Sequence, residues 1–287
     1  MCVVKVGFLI SYDYEYLKIS LPRVYAQAST IYLAVDVDGK TWSGTDLTIP
    51  QNFWDWVKEV DTEQKIEIYY DNFYVEGLSP MECDTRERNM LGKAMGKSDW
   101  YIQIDADEYF IDFGHFVQKL RNFKASKPTT VNCRVITLFK ALPSGYLTID
   151  ESFETLSFAT NNPVYNIARI NTTGNQQVYW ADLVMHQSWA RDEDAIWLKL
   201  SNWSHKDDFN THSFFKLWKA IDEFNYSCLR DFHPLDAATW PKLRLLEGDL
   251  SHILNAGEVE EIRGEAIAVK KRKNLLSRLW KEIKSKD

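Results

Sequence analysis

Short apolar runs alternate with amphipathic segments through the first 105 residues of the chain. The apolar runs are rich in β-branched and aromatic residues and predict strands, while the segments between them carry apolar residues at helical spacing. Short runs covered on both faces are typical of parallel strands connected by helices. The pattern therefore predicts an α/β fold with a mainly parallel central sheet flanked by helices. The predicted strands are residues 3–10, 30–37, 65–70 and 100–104, and the predicted helices are 16–28, 53–60 and a third that begins at Asp84 or Thr85 and ends near 96.

The alternation becomes less regular after Asp107. Residues 141–163 contain Pro and Gly with little periodicity and predict a long loop. Further predicted elements are a helix at 113–122, strands at 130–138, 165–170 and 177–185, and a helix that includes 196–203. We expect one domain over 1–204, in which the regular alternation of the first part ends near residue 110. A helical C-terminal extension is expected over 205–287.

Composition excludes several classes of protein and draws attention to the end of the chain. The 287 residues are 45% hydrophobic and 26% charged, as in an ordinary globular protein, and the formal charge of −7 offers no electrostatic case for nucleic-acid binding. The charge is uneven, because 266–287 holds eight Lys and Arg against Glu282 and Asp287. Leu275, Leu276 and Leu279 share one face of this segment, which predicts a basic amphipathic helix. Such a helix either contacts a membrane surface or packs its leucine face on the body of the protein.

The cysteines and the first residues favour a cytoplasmic protein, peripheral on the inner face of the membrane if the basic tail binds there. The four cysteines are scattered, as in proteins of a reducing compartment. Lys5 interrupts the first apolar run, which predicts a buried strand rather than a secretion signal.

Candidate chemistry lies directly after the fourth predicted strand, at Asp105-Ala-Asp107-Glu108. Two carboxylates two positions apart at the end of a strand can approach one hard divalent cation. The chain contains three such D-x-D triplets, so the triplet alone has little value. Its position, where ligands of open α/β sheets bind, makes this one the candidate.

The residues from Arg86 to Glu108 resemble family-2 glycosyltransferases of the GT-A fold. In that family an Arg-Asn helix, a turn ending in Asp-Trp, a hydrophobic strand and D-x-D-E occur in the same order as Arg88-Asn89, Asp99-Trp100 and the motif above. Two extra residues separate Gly96 from Asp99, where the family usually has Gly-Asp-Trp. The resemblance covers about residues 3–202, is strong for 85–110 and is weaker elsewhere. It implies a nucleotide-sugar-dependent transferase whose catalytic domain, 1–204, has a nucleotide-sugar half at 1–110 and an acceptor half at 111–204.

The resemblance also implies roles for individual residues. Asp107 would be the principal ligand of a divalent metal, Mn²⁺ or Mg²⁺, with Asp105 near the ribose or the metal and His186 completing the site. Either Arg86 or Arg88 would face the diphosphate of the donor. The remaining implied nucleotide-sugar residues are Ser11 and Tyr12, where the base stacks, and Asp36 or Asp38, which would bind the base or ribose.

A transferase also needs a base for the acceptor hydroxyl. Glu193-Asp194-Ala-Ile-Trp197 resembles the E-D-x-x-W segment of the family, which favours Asp194 or Glu193. Glu151 in the predicted long loop is the next candidate, and Asp182 is a third. Trp42 and Trp180 fit no helical core stripe and are candidates for a sugar platform.

These observations predict a metal-dependent, inverting glycosyltransferase that moves a sugar from a nucleotide-diphosphate donor to an acceptor hydroxyl. The expected acceptor is a glycan or a lipid-linked sugar, in cell-surface polysaccharide or glycolipid assembly. Two alternatives are a non-catalytic carbohydrate-binding protein, which the 11 Trp residues favour, and a sugar-phosphate nucleotidyltransferase. The second is disfavoured because no Gly-rich loop follows the first predicted strand.

Overall fold

The computed structural model describes residues 2–171 and 174–255. The predicted basic tail at 266–287 lies outside the described residues. Ten strands are present in the described ranges: β1 (Val4–Ile10), β2 (Thr30–Asp36), β3 (Ile66–Asp71), β4 (Trp100–Asp105), β5 (Glu108–Phe110), β6 (Thr129–Leu142), β7 (Gly145–Asp150), β8 (Thr155–Thr160), β9 (Gln176–His186) and β10 (Lys242–Glu247). The α-helices in these ranges are α1 (Leu17–Tyr25), α2 (Gln51–Val60), α3 (Pro80–Ala94), α4 (Phe113–Asn122), α5 (Glu193–Asn202), α6 (Thr211–Ala220) and α7 (Leu250–Asn255).

The sheet has the order β10-β7-β6-β8-β4-β1-β2-β3, with β9 beside β5 and β6. The neighbours β4, β1, β2 and β3 are parallel, which confirms the predicted α/β architecture. Their carboxyl ends meet at one edge, so Ser11 follows β1 where Asp105 ends β4. The second half adds antiparallel pairs, except that β6 and β9 are parallel.

Apolar burial explains why the first half folds as its sequence predicts. Phe8, Leu33 and Ile104 are fully buried in the sheet, and Phe116 of α4 packs into the same core. Helix α3 begins earlier than predicted, because Ser79 and Glu82 form a reciprocal capping box and Pro80 occupies the first turn.

The segment predicted as a long loop, 141–163, contains two strands instead. Pro143 and Ser144 form a two-residue connection between β6 and β7, and Gly145 opens β7 with a φ of +152°. The breaker residues that suggested a loop are therefore the turn of a hairpin. By contrast, 165–170 contains only an isolated bridge between Ile167 and Ile170 rather than the predicted strand.

Residues 205–255 contain α6 and α7, and also a strand where the sequence predicted helix alone. Strand β10 pairs antiparallel with β7. Trp218 of α6 donates from its indole nitrogen to the carbonyls of Phe139 (2.9 Å) and Trp189 (3.1 Å), inside a shared aromatic core. This part of the predicted extension is therefore built onto the sheet. No helix among the described residues is long and apolar enough to cross a membrane.

Candidate active site

A cavity of about 660 Å³ lies where the parallel strands end. Its wall brings together six residues that the sequence predicted for a donor and metal site: Ser11, Tyr12, Arg88, Asp105, Asp107 and His186. They come from the ends of β1, β4 and β9 and from the cavity-facing side of α3. The edge of the sheet is therefore the candidate active site, as its topology predicts.

Asp107 lies among three basic side chains in this wall, His186, Arg191 and Lys199. The carboxylate is 2% exposed and accepts a hydrogen bond from Arg191, while Lys199 Nζ lies 3.7 Å away and His186 Nε2 lies 3.5 Å from its other oxygen. Burial alone would raise the pKa of Asp107, but His186, Lys199 and Arg191 hold that pKa well below its usual range. Asp107 is therefore ionised at neutral pH.

Asp105 is bound to the Arg-Asn helix that the sequence analysis singled out. Arg88 donates from one nitrogen to Asp105 (2.8 Å) and from another to Asp84 (2.6 Å). The pKa of Asp105 is lowered, because Arg88 and Arg169 more than offset the effect of burial. Its side chain remains 29% exposed toward the cavity, so a ligand can reach it.

Glu108, the last residue of D-x-D-E, holds this corner in shape. It is 1% exposed, accepts the backbone N–H of Asp105 (2.9 Å) and is paired with Arg169, which donates from Nη1 over 2.7 Å. A buried carboxylate with a bidentate Arg partner fixes geometry. Glu108 thereby fixes the turn that presents Asp105 and Asp107.

Asp107 and His186 are the described residues that could together hold a divalent metal. The carboxylate oxygen and the imidazole nitrogen lie 3.5 Å apart, and a nitrogen donor suits a transition metal such as Mn²⁺ better than Mg²⁺. In the part of the chain that the structure describes, no group of three or more His, Cys, Asp or Glu is arranged to hold a metal. Mg²⁺ in phosphate-binding sites is held by one or two carboxylates plus the phosphates, so a small number of protein ligands is consistent with a metal that binds together with a phosphate.

Three of the predicted donor residues are not among the described residues that line the cavity: Asp36, Asp38 and Arg86. Asp36 is occupied by backbone donors, namely the N–H groups of Phe73 (2.8 Å), Tyr74 (3.0 Å), Asp38 and Lys40. Arg86 donates to the carbonyls of Asn72 and Phe73, and Asp38 accepts from the Asn72 side chain. These residues organise the loops after β2 and β3, which explains their polar character.

The predicted base candidates also lie outside the described cavity wall. Glu193 is exposed in the first turn of α5 and pairs with Lys219, and Asp194 beside it is exposed. Glu151 occupies a turn with a φ of +57° and pairs with Lys242 (3.1 Å). Asp182 pairs with Lys119, and Lys119 Nζ also lies over Trp180, 4.3 Å from its centroid, away from the cavity.

Lys199 and Arg191 are functional candidates that sequence reasoning missed. Lys199 is 5% exposed, and burial followed by the nearby Arg191 lowers its pKa. Its signal was present in the sequence, because it shares the inward face of α5 with Ile196 and Leu200, where an apolar residue is expected. Arg191 had no comparable signal, since it contacts Asp107 from 84 positions away.

Glu87 is a second missed residue of the cavity wall. It is 5% exposed and accepts from the indole nitrogen of Trp42 over 2.6 Å. Burial, more than any neighbour, raises the pKa of Glu87 to about 8. Its partner Trp42, unlike Trp180, lines the cavity.

Aromatic side chains also line the cavity. Tyr179 of β9 is 65% exposed, and Trp203, Trp240 and His233 line the same cavity. His233 accepts the backbone N–H groups of Leu235 and Asp236 at Nδ1 and packs edge-on against Trp240 at 4.4 Å. Exposed aromatic faces bind the apolar faces of sugars, which makes Tyr179 a candidate for carbohydrate contact, whereas Trp240 is 2% exposed.

Comparison with known proteins gives only distant structural likeness. The sequence matches no family model and no curated protein. A mannosyltransferase, PcManGT from Pyrobaculum calidifontis in complex with GDP-Man and Mn²⁺, has a TM-score of 0.43 and 10% identity; the match covers 67% of this chain but 59% of that one. This chain therefore spans less than two thirds of the length of the mannosyltransferase.

Two further solved structures show similarly low likeness to this chain. TarS 1–349 of S. aureus has a TM-score of 0.40 and 12% identity, covering 78% of this chain and 72% of that one. A putative glucose-1-phosphate thymidylyltransferase from Bacillus anthracis, in complex with a sucrose, has a TM-score of 0.36 and 9% identity, covering 71% and 96%. These scores assign no activity to the chain, and its α/β architecture follows from the strand order described above.

Proposed function

We propose that the chain is a glycosyltransferase that moves a sugar from a nucleotide-diphosphate donor to an acceptor hydroxyl. The observation that carries the proposal is the placement of Asp105 and Asp107 at the end of β4, in a cavity that also contains His186, Arg88 and Lys199. Carboxylates for a metal and fixed cations for a phosphate are thus combined in one site.

The leaving group explains why both kinds of charge are needed. Transfer expels a nucleoside diphosphate, whose phosphate oxygens gain charge in the transition state. When bound by Asp107 and His186, a divalent metal supplies Lewis-acid stabilisation of that charge. Lys199 and Arg88 carry positive charge into the same wall and lower the cost of charge development further.

Two groups of cavity residues support a division of labour. Ser11, Tyr12 and Trp42 line the cavity beside β1 and α3, where the nucleoside would bind. Trp240 and His233 line it near Phe139 of β6, where the sugar acceptor would bind. The proposal includes inversion at the anomeric carbon, a glycan or lipid-linked acceptor and a role in cell-surface polysaccharide or glycolipid assembly.

Donor turnover tests the proposal. Purified full-length protein is incubated with UDP- and GDP-sugars, with Mn²⁺, Mg²⁺ or EDTA, and release of the nucleoside diphosphate is measured. We expect metal-dependent release from at least one donor, lost in Asp107→Asn and retained in Asp46→Asn, a matched change of an exposed carboxylate. Release of pyrophosphate from a nucleoside triphosphate and a sugar phosphate would instead support the nucleotidyltransferase. Absence of turnover and binding with every donor would contradict the proposal.

A further inference from the structure

Glu154 presents a carboxylate to the cavity from the connection between β7 and β8. It is partly buried, and one oxygen accepts from the hydroxyl of Thr137 over 2.9 Å. Its carbonyl accepts the backbone N–H of Val135 (2.9 Å), so the main chain of Glu154 is fixed on β6 as well. The carboxylate is therefore held in position by a strand of the sheet.

Strand register places Glu154 close to the predicted metal corner. Thr137, its hydrogen-bond partner, is paired in the parallel β6–β9 ladder with His186. His186 in turn lies 3.5 Å from Asp107. Glu154 is thus connected to His186, a predicted metal ligand, through one hydrogen bond to Thr137 and one strand pairing.

The other cavity carboxylates are occupied by partners that Glu154 lacks. Four of them are ion-paired with a buried arginine: Asp84 and Asp105 with Arg88, and Asp13 and Asp107 with Arg191. Glu87 accepts from Trp42, and its pKa of about 8 keeps it protonated at neutral pH. Among the cavity carboxylates of the described ranges, Glu154 alone combines partial exposure with a neutral hydrogen-bond partner and no Lys or Arg in ion-pair contact.

Aromatic side chains near Glu154 suit a sugar acceptor. His233 is close enough to Glu154 to interact with it electrostatically, and it packs edge-on against Trp240, which also lines the cavity. Because its Nδ1 accepts two backbone N–H groups, neutral His233 carries its proton on Nε2 and is a hydrogen-bond donor, not a base.

We infer that Glu154 is the catalytic base that accepts the proton of the acceptor hydroxyl, an inference that rests on the proposed function. The acceptor oxygen forms a bond to the anomeric carbon, and its proton passes to the Glu154 carboxylate. The bond from the anomeric carbon to the diphosphate oxygen breaks, and its electron pair leaves with the nucleoside diphosphate. Thr137 is a positioning residue that orients the carboxylate.

The test compares Glu154→Gln with Glu151→Gln, a matched change three positions away on an exposed turn. Two quantities are measured for each variant: affinity for the nucleoside diphosphate of the active donor with Mn²⁺, and turnover with water or a p-nitrophenyl glycoside as acceptor. We expect E154Q to bind the nucleoside diphosphate within threefold of wild type and to lose a factor of about 10²–10⁴ in kcat. E151Q should match wild type in both measurements.

A pH profile and a second variant separate a base from a structural residue. Wild-type kcat should fall at acid pH, and E154Q should lose this acid limb. Glu154→Asp keeps the charge but withdraws the carboxylate, and should lower kcat at least tenfold, which tests the inference even if E154Q does not fold. More than a tenth of wild-type kcat in E154Q, wild-type kcat in E154D, or a tenfold loss of nucleoside diphosphate affinity in E154Q would each overturn the assignment. A wild-type protein that binds and turns over no donor would overturn the proposed function, and the assignment with it.

Discussion

His186 Nε2 lies 3.5 Å from Asp107 Oδ1, although the two residues come from the ends of different strands. The β5–β9 pairing, in which Glu108 lies opposite His186, creates this approach. The pairing brings together Asp107, which the D-x-D-E motif singles out, and His186, which only the family resemblance suggests. Four predictions concern this corner, its neighbours and the sheet that supports them.

Removing the imidazole should weaken metal binding without removing the site. We expect His186→Ala to raise the Mn²⁺ concentration needed for half-maximal nucleotide binding at least tenfold, because one of two protein ligands is lost. His115→Ala, on the exposed face of α4, is the control. An unchanged Mn²⁺ requirement, measured by calorimetry, would exclude His186 as a ligand.

Replacing Lys199 should separate phosphate binding from nucleoside binding. Lys199→Met keeps the length of the side chain and removes its charge, so affinity for the nucleoside diphosphate should fall about 10- to 100-fold while affinity for the nucleoside stays constant. The variant should melt no lower than wild type, since burial of the ammonium group opposes its charge. Lys216→Met on the exposed side of α6 is the control, and parallel losses for nucleoside and diphosphate would contradict the role.

Glu87 should make stability depend on pH in a predictable direction. The unfolded chain ionises Glu87 near 4.5, whereas burial raises the folded pKa to about 8. Between these values the folded protein keeps a proton that the unfolded chain has lost, so this residue lowers the free energy of unfolding as pH rises, by up to about 1.4 kcal/mol per pH unit. The loss is complete above the folded pKa and absent below the unfolded one.

Glu87→Gln has no proton to lose, which isolates this contribution. The free energy of unfolding is measured in urea at pH 5 and pH 8 for both proteins. The value for E87Q minus that for wild type should be about 2 kcal/mol or more larger at pH 8 than at pH 5. Glu59→Gln, exposed on α2, should show no such change. A constant difference between wild type and E87Q would mean that Glu87 ionises normally in the folded protein.

Replacing Gly145 with alanine tests whether β10 pairs with β7 in the sheet. An alanine Cβ at this position would lie 2.0 Å from the carbonyl oxygen of Leu246, and φ is +152°. Gly77 also has a positive φ, +91°, but has no atom within 4 Å of the equivalent Cβ. Gly145→Ala should therefore lose about 2 kcal/mol or more beyond the loss in Gly77→Ala, measured by urea unfolding. Equal losses would contradict the β7–β10 pairing.

The first half of the fold could be predicted because its signals are local. Four apolar runs, the segments between them and the turn after β4 each determine their own structure, and the position of Asp105 follows from strand polarity. The β6–β7 hairpin could not be recognised, because Pro143 and Gly145 are equally common in loops. The sequence of β10 is compatible with a helix as well as with a strand, and its pairing with β7 determines that it is a strand.

The site was less predictable, because its contacts join distant segments. A motif order suggested Glu193 and Asp194, but α5 turns Ile196, Lys199 and Leu200 inward and leaves both carboxylates exposed. Similarly, Asp36 carries the expected residue type, yet its oxygens accept backbone N–H groups of the chain itself. Residue type identifies candidates, whereas helix register and backbone hydrogen bonds decide which of them face the cavity.

Calorimetric titration of UDP and GDP into the full-length protein with Mn²⁺ tests the central claim most directly. The account predicts that at least one of them binds with a stoichiometry near one, and that Asp107→Asn weakens its binding at least tenfold while Asp46→Asn leaves it unchanged. Absence of binding by both nucleotides, or equal affinity in wild type and Asp107→Asn, would contradict a nucleotide-sugar site at the end of β4.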